Sequence, residues 1–280
     1  MKIECAGIVI KPGGYDLKDI YKRIVKAFEK EGIKTYIDRS SAEIIGEKGG
    51  KSFDELCATC DILVSIGGDG TLISVARRSY SYHRPVLGIN VGTLGFLTDV
   101  YPDDIEQFVK KLKKGEYRID TRMMIEVSIL GKKEKIVAFN DVVFSRPAVS
   151  KMIRLDTYID DNLLNSYYGD GLIVSTPTGS TAYNLSAGGP VVYPFTDDFI
   201  FTPICPHSLT QRPLVLPADF EIKVVTRSKS ALIIIDGQDM YEFTPNDIVM
   251  IRKAEIGAKL IHRKERNYFD VLREKLNWGK

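Results

Sequence analysis

Much that would settle the chemistry quickly is missing from these 280 residues. No charge of one sign dominates: 39 Lys and Arg stand against 37 Asp and Glu, a net of +2. That balance gives no charge-based case for nucleic acid or a membrane surface as partner. No apolar run approaches the roughly 20 residues of a spanning helix. Met1-Lys2 leads straight into strand-like residues 3–10, with no cleavage-site pattern, so a cytoplasmic protein is expected. Only four cysteines are present, which suits a reducing compartment. Cys57 and Cys60 form one C-x-x-C, but no second exists and His83, His207 and His262 are scattered. The pair therefore reads as two small apolar residues on one face of a helix over residues 53–59. The G-x-G-x-x-G dinucleotide fingerprint is absent. Residues 46–52, Gly-Glu-Lys-Gly-Gly-Lys-Ser, fall one residue short of a P-loop and follow no convincing strand, so they read as a flexible basic loop.

What is there begins at residues 61–71. The β-branched run Ile62-Leu63-Val64-Ser65-Ile66 reads as a buried strand, closed by Gly67-Gly68-Asp69-Gly70-Thr71. Glycines let the chain turn and let a ligand approach backbone N–H groups. Thr71, Leu72, Val75 and Ala76 then open a helix, whose N-terminus favours anions. Asp69 is an odd acid to fix in an anion-friendly turn unless it acts. Around this stretch, strands at 3–10, 33–37 and 85–90 alternate with helical spacing at 17–28, 53–59 and 103–112. The rhythm predicts an α/β domain with a parallel sheet over residues 1–118, with ligands beyond the carboxyl ends of the strands. The stretch 91–98, with Gly92, Gly95 and Phe96, ends another strand there.

From Tyr117 the pattern changes to alternation. Strands are expected at 123–129, 136–144, 152–159, 172–174, 222–225 and 232–235, giving a β-rich domain over residues 119–253. Tyr268, Val271, Leu272 and Leu276 predict a closing helix, so residues 254–280 are expected to return to the first domain. The β-rich part holds Asn140-Asp141 within a strand, Gly169-Asp170-Gly171, a hydroxyl-rich loop over 175–184, Gly188-Gly189-Pro190 and Asp236-Gly237-Gln238. Singly each is more often a structural turn. Four polar, glycine-closed strand ends exceed what folding requires and suit a polar ligand such as a ribose or an amide.

These motifs, in this order and approximate spacing, resemble the NAD kinase family from about residue 60 to 240. Diacylglycerol and sphingosine kinases share the GGDG loop. The combination with residues 176–184 and Pro206-His207-Ser208-Leu209 is more specific. The resemblance implies an NAD kinase/diacylglycerol kinase-like α/β domain and a β-rich NAD-binding domain. It also implies dimers or tetramers whose sites use both subunits. The activity implied is transfer of a phosphoryl group from ATP or inorganic polyphosphate to the 2′-hydroxyl of the adenosine ribose of NAD. Asp69 would be the general base, with Gly67, Gly68, Gly70 and Thr71 around the donor phosphates. Contacts to NAD would come from Asp69, Gly70, Phe96 at the adenine, and Asn140 and Asp141 at the ribose. Further contacts would come from Lys151, Tyr168, Asp170, Thr178, Thr181, Ala182, Tyr183, Asn184, Leu185, Ser186, Asp236 and Gln238. Two positions depart from the family pattern. Asp141 stands where Glu is usual, and Tyr168 where a basic residue is common before the acid at Asp170. No lysine or arginine is obvious near the loop, so Mg²⁺ is expected to carry much of the charge, its ligands unassigned. A lipid or small-alcohol kinase would use the same loop with an apolar groove. A non-catalytic dinucleotide-binding module would leave Asp69 idle.

Overall fold

The structure, a computed structural model, describes residues 2–13, 17–93, 95–132, 135–148, 150–265 and 267–279. Leu94 of the second glycine stretch lies outside them. The chain splits into two compact units, one running to Thr121 and resuming at Ala258, the other spanning Arg122–Gly257.

In the first unit, β1 (Cys5–Ile10), β2 (Lys34–Ile37), β3 (Ile62–Gly67), β4 (Val86–Asn90) and β5 (Tyr117–Arg122) build one sheet. A C-terminal strand, Ala258–Arg263, inserts between β4 and β5, giving the order β2-β1-β3-β4-C-terminal strand-β5. The pairings of β1 with β2 and β3, of β3 with β4, and of the C-terminal strand with β4 are parallel. Parallel strands need helical crossovers, and α1 (Lys18–Lys30), α2 (Arg39–Ile45), α3 (Phe53–Thr59), α4 (Asp69–Arg78) and α5 (Ile105–Lys114) belong to this unit. β3 is buried at every residue, as a central parallel strand should be. α1 turns Ile24, Ala27 and Phe28 inward, and α5 turns Ile105, Phe108, Val109 and Leu112 inward, while their lysines and glutamates stay outside. A last helix, Tyr268–Leu276, is capped by Asn267 and buries Val271 and Leu272 in the same unit.

Residues 46–52 are not a flexible loop. Gly46, in the left-handed region at φ 66°, ends α2, and Ser52 opens α3 with a reciprocal capping box to Glu55. Lys51 pairs by a β-bridge with Asp38, and Gly50 (φ 108°) lies where a Cβ would press on the Arg39 backbone. The P-loop-like spelling is thus two helix ends joined by a turn. Cys57 lies in α3, and Cys60 just beyond its end; both are buried, and the Cys60 sulfur is 3.1 Å from that of Cys5. Burial pushes the Cys57 thiol up to about 11 and raises Cys60 and Cys5 as well.

The second unit is a sandwich of two six-stranded antiparallel sheets. One contains β6 (Ile125–Ile129), β7 (Lys135–Ala138), β9 (Ile153–Ile159), β10 (Asn162–Gly169), β14 (Ile222–Thr226) and β17 (Val249–Lys253). The other contains β8 (Asp141–Ser145), β11 (Gly171–Ser175), β12 (Asp198–Ile204), β13 (Leu214–Pro217), β15 (Ala231–Ile235) and β16 (Asp239–Phe243). Residues of both sheets meet in one core, with Ile125, Val127 and Ile222 from the first and Phe144, Leu172, Phe201 and Phe243 from the second. The strand expected over 136–144 is two strands, β7 and β8, which lie in different sheets. The break at Phe139-Asn140 has a cause described below.

If Ser52 serves only as a cap, Ser52→Ala should lower unfolding free energy by about 1 kcal/mol. Catalytic constants should stay unchanged, as read by thermal melts beside an activity assay; a raised nucleotide KM would restore the phosphate-loop reading.

Candidate active site

In the first unit the sharp turn after β3 is held by close approach. A Cβ on Gly67 would overlap the Thr71 hydroxyl, so only glycine admits that residue at the start of α4. The N-cap, Gly68, lends no side chain to the first amides of α4, and Asp69 sits in its first turn, where a negative charge is favoured. The Asp69 carboxylate does not point loosely into solvent. Its Oδ2 accepts the Phe96 N–H at 2.6 Å. Its Oδ1 accepts the Leu97 and Thr98 N–H groups at 3.2 and 3.1 Å and the Thr98 hydroxyl at 3.0 Å. Three successive amides of the second glycine stretch are thereby gathered on one acid. Gly95 is explained by the same contact, because a Cβ there would run into that carboxylate. Asn90, at the end of β4, pins the other side of the stretch, accepting from Gly92 N–H and donating to the Thr93 carbonyl, both at 2.9 Å.

Between these walls lies a cavity of about 430 Å³, lined by Gly67, Gly68, Asp69, Asn90, Gly92, Thr93 and Gly95 together with Lys11 and Lys275. The expectation of no nearby basic residue is therefore corrected. Lys11 follows β1, and Lys275 comes from the C-terminal helix, more than two hundred residues on in sequence; both reach the cavity only through the fold. Half-buried Phe96 presents its ring to the Lys275 ammonium, 5.8 Å from the ring centroid. Among the described residues, Asp69 is the single carboxylate on the cavity wall. Among the described residues no group of three or more His, Cys, Asp or Glu is arranged to hold a metal ion.

In the second unit a matching device appears. Asp236, itself in the left-handed region at φ 51°, follows β15 and accepts the N–H groups of Phe139, Asn140 and Asp141 at 2.8, 2.7 and 2.9 Å. This clamp is what divides the expected 136–144 strand. The carbonyl side is held by the hydroxyl loop: Thr176 Oγ1 donates to the Phe139 carbonyl at 2.8 Å, and Thr176 N–H to that of Asn140 at 2.8 Å. Gly179 lies against the Asn140 carbonyl so closely that a Cβ has no room. With the backbone fully engaged, the side chains of Asn140 and Asp141 make no hydrogen bond among the described residues. Burial, and then the charge of Asp236, pushes the Asp141 carboxyl up to about 7. Thr178 Oγ1 is also buried without a partner. Asn184 is spent inside the protein, donating to the carbonyls of Ser180 and Pro190 and accepting from the Thr202 hydroxyl. It shapes the segment that carries Thr181, Ala182, Tyr183, Leu185 and Ser186, of which Tyr183 and Ser186 are exposed. Gln238 is exposed in the turn after Asp236.

The remaining predicted residues gather elsewhere. β8 and β11 run antiparallel with Asp141 opposite Ser175 and Ser145 opposite Gly171. Asp170 therefore lies at the opposite end of this strand pair from Asn140, roughly 15 Å away at the usual rise per residue. There Arg146 Nε donates to its carboxylate at 2.6 Å. The basic partner missing at Tyr168 is thus supplied by a residue 24 positions earlier, which sequence reasoning missed. Tyr168 stacks edge-on against His207, 5.6 Å between ring centroids, and takes Arg154 over its face. Lys151 is exposed near the same end, where Arg146 also bonds the Ser150 carbonyl.

A parallel α/β unit with a glycine-walled, lysine-edged anion cavity, joined in one chain to a sandwich of clamped polar strand ends, defines a nucleotide-binding phosphotransferase class. Comparison with known proteins narrows the class. The model for the ATP-NAD kinase N-terminal domain matches residues 7–117, and that for the ATP-NAD kinase C-terminal domain matches residues 139–263. The NAD kinase of Wolinella succinogenes is 51% identical over 276 residues, 98% of this chain and 95% of that protein. That of Sulfurimonas denitrificans is 50% identical, covering 99% and 98%. An Archaeoglobus fulgidus NAD kinase solved in complex with ATP superposes with a TM-score of 0.79 at 29% identity, covering 96% of this chain and 98% of that one. A yeast NADH kinase complexed with NADH shares the fold, with a TM-score of 0.88 at 24% identity, over 100% of this chain and 89% of its own. The chain belongs to the NAD kinase family. Matches to both domain models over most of its length disfavour the lipid-kinase alternative.

The Asp141 carboxyl carries a pH signature. Its ordinary value is 3.8, and in the fold it rises to about 7, so the folded state binds this proton more tightly than the unfolded chain. The resulting stability is fully present below pH 4 and is lost as pH rises through about 7. The loss is on the order of 4 kcal/mol at most. Asp141→Asn should therefore melt progressively higher than the parent as pH goes from 4.5 to 8. A constant gap between the two melting temperatures would overturn this reading of the site.

Proposed function

We propose that this protein is an NAD kinase that transfers a phosphoryl group from ATP to the 2′-hydroxyl of the adenosine ribose of NAD, giving NADP. Inorganic polyphosphate is the other donor to be tested. The observation that carries the reading is the Asp69 carboxylate, fixed by three amides and a hydroxyl on a cavity otherwise walled by open glycine backbone. Phosphoryl transfer asks for position and charge stabilisation more than covalent help. Oδ2 has one donor and keeps lone-pair capacity, so Asp69 can take the proton of the attacking hydroxyl. The amides at the start of α4 and the glycine walls suit the donor phosphates. Asn140 and Asp141, locked in backbone and unbonded in side chain, suit a ribose. Asp141 can donate or accept around neutral pH. Asp236 and Asn184 position these groups, and Phe96 offers a ring face to the adenine. With one carboxylate on the wall among the described residues, already engaged, the cavity fits a divalent cation carried by the donor's phosphates better than one caged by protein. Mg²⁺ bound so would neutralise phosphate charge. On this reading the protein works in the cytoplasm.

Protein incubated with NAD, Mg²⁺ and ATP should form NADP. Asp69→Asn should cut kcat by about 10²–10⁴-fold. Gly95→Ala, which leaves the acid in place but displaces it, should also lose activity while circular dichroism stays native. NADP formation at the parent rate by Asp69→Asn would remove the base assignment.

The cluster of Arg146, Lys151, Tyr168 and Asp170, a strand pair's length from Asn140, favours a homo-oligomer in which it serves a nucleotide held by a partner subunit. Asn140→Ala and Asp170→Ala, each impaired alone, should recover up to about a quarter of parental activity when co-refolded as random dimers. No recovery from a verified mixed oligomer would place all four residues on their own subunit's nucleotide.

A further inference from the structure

The cavity at Asp69 raises an electrostatic question that the GGDG loop does not answer. A triphosphate donor brings several negative charges, whereas the loop offers neutral amides and the partial charge of one helix end. Among the described residues the one carboxylate on the wall, Asp69, adds to the problem. Against it stand two ammonium groups, Lys11 and Lys275. Neither forms a salt bridge or hydrogen bond through its side chain among the described residues. Lys11 is exposed on the turn after β1, its Cβ close to Gly67. Lys275 is better held: it is half-buried, rooted in a capped helix that buries Val271 and Leu272, and set against the Phe96 ring. Phe96 thus makes two connections, its amide to the Asp69 carboxylate and its ring to the Lys275 ammonium.

Given the kinase reading above, on which this rests, we propose that Lys275 is a donor-binding residue. Its ammonium neutralises the phosphates of the nucleoside triphosphate and the charge that develops as the terminal phosphoryl group leaves. The C-terminal helix is then part of the donor site and not only a packing element. An ammonium held by an aromatic face keeps its charge and all three N–H donors, so it can turn to phosphate oxygens without breaking an ion pair. Lys11, which lines the same cavity, contributes more weakly because it is exposed and screened.

The test separates charge from packing and donor from acceptor. Lys275→Met keeps the aliphatic stem and removes the charge; Lys275→Arg keeps the charge. We expect Lys275→Met to lower kcat/KM for ATP about 10–100-fold, with KM for NAD changed less than about threefold and circular dichroism native. Lys275→Arg should restore most of the loss. ATP binding by Lys275→Met, measured by calorimetry without NAD, should weaken and lose part of its salt dependence. ATP constants within about twofold of the parent, or equal losses toward ATP and NAD, would overturn the proposal. If the parent itself makes no NADP, the kinase reading fails. The calorimetric comparison then still decides whether Lys275 binds a triphosphate.

Discussion

The structure depends on one repeated interaction: an aspartate that takes several backbone amides of a neighbouring segment onto a single carboxylate. Asp69 gathers the amides of 96–98, and Asp236 those of 139–141. Asp61 does the same where β1 and β3 begin, accepting from the Glu4 and Cys5 N–H groups at 2.8 and 2.9 Å. Each unpaired buried amide would be costly, and hydrogen bonds to an ionised acceptor are among the stronger ones. A short, acid-centred clamp therefore fixes a non-repetitive stretch as firmly as a strand pairing would. Around the two functional clamps the rest follows. Gly95 is small because the Asp69 carboxylate occupies the space of its Cβ, and Gly179 because the Asn140 carbonyl does. Asp236 adopts a left-handed backbone uncommon for a side-chain-bearing residue, a strain repaid by three hydrogen bonds.

Why some of the fold was legible in the chain and some was not follows from how each element is stabilised. β1, β3, β4, α1, α3 and α5 bury one face or both, so their apolar spacing declares them. α2 has seven residues and its register comes from the Asp38 cap and the Gly46 stop, signals that periodicity does not weigh. β10 is half-exposed along most of its length, β13 alternates partial and full exposure over four residues, and β16 exposes three of its five residues; such strands exist because a neighbour pairs with them. The Ala258–Arg263 strand is buried but short, and only its place between β4 and β5 gives it meaning. Residues 136–144 read as one strand because their apolar run is continuous. The divider is an acid almost a hundred positions away.

The site divides along the same line. Motif residues were visible because glycine and acid together at a strand's end are hard to explain otherwise. Their partners were not, because charge pairing through space leaves no local trace. Arg146 answers Asp170 from 24 residues earlier, across a strand pair, and nothing in its own surroundings marks it. Lys275 sits in a plain amphipathic helix among other charges. The near-miss at 46–52 shows the converse error. A spelling close to a phosphate loop was produced by two helix ends that each obey ordinary capping rules.

The two clamps also separate jobs that an acid at an active site usually has to combine. A carboxylate that holds a loop needs its charge and its lone pairs for that loop. The base role proposed for Asp69 needs one lone pair left over, and Oδ2 keeps it because three of the four donors share Oδ1. In the second unit the tasks are split between two residues. Asp236 does the holding, and Asp141 is left with an unbonded carboxyl whose proton is retained to near neutrality by burial and then by that neighbouring charge. The same chemical group is thus placed in opposite surroundings. The Asp69 carboxylate is ringed by amides and a hydroxyl, whereas burial and the neighbouring charge of Asp236 push the Asp141 carboxyl up.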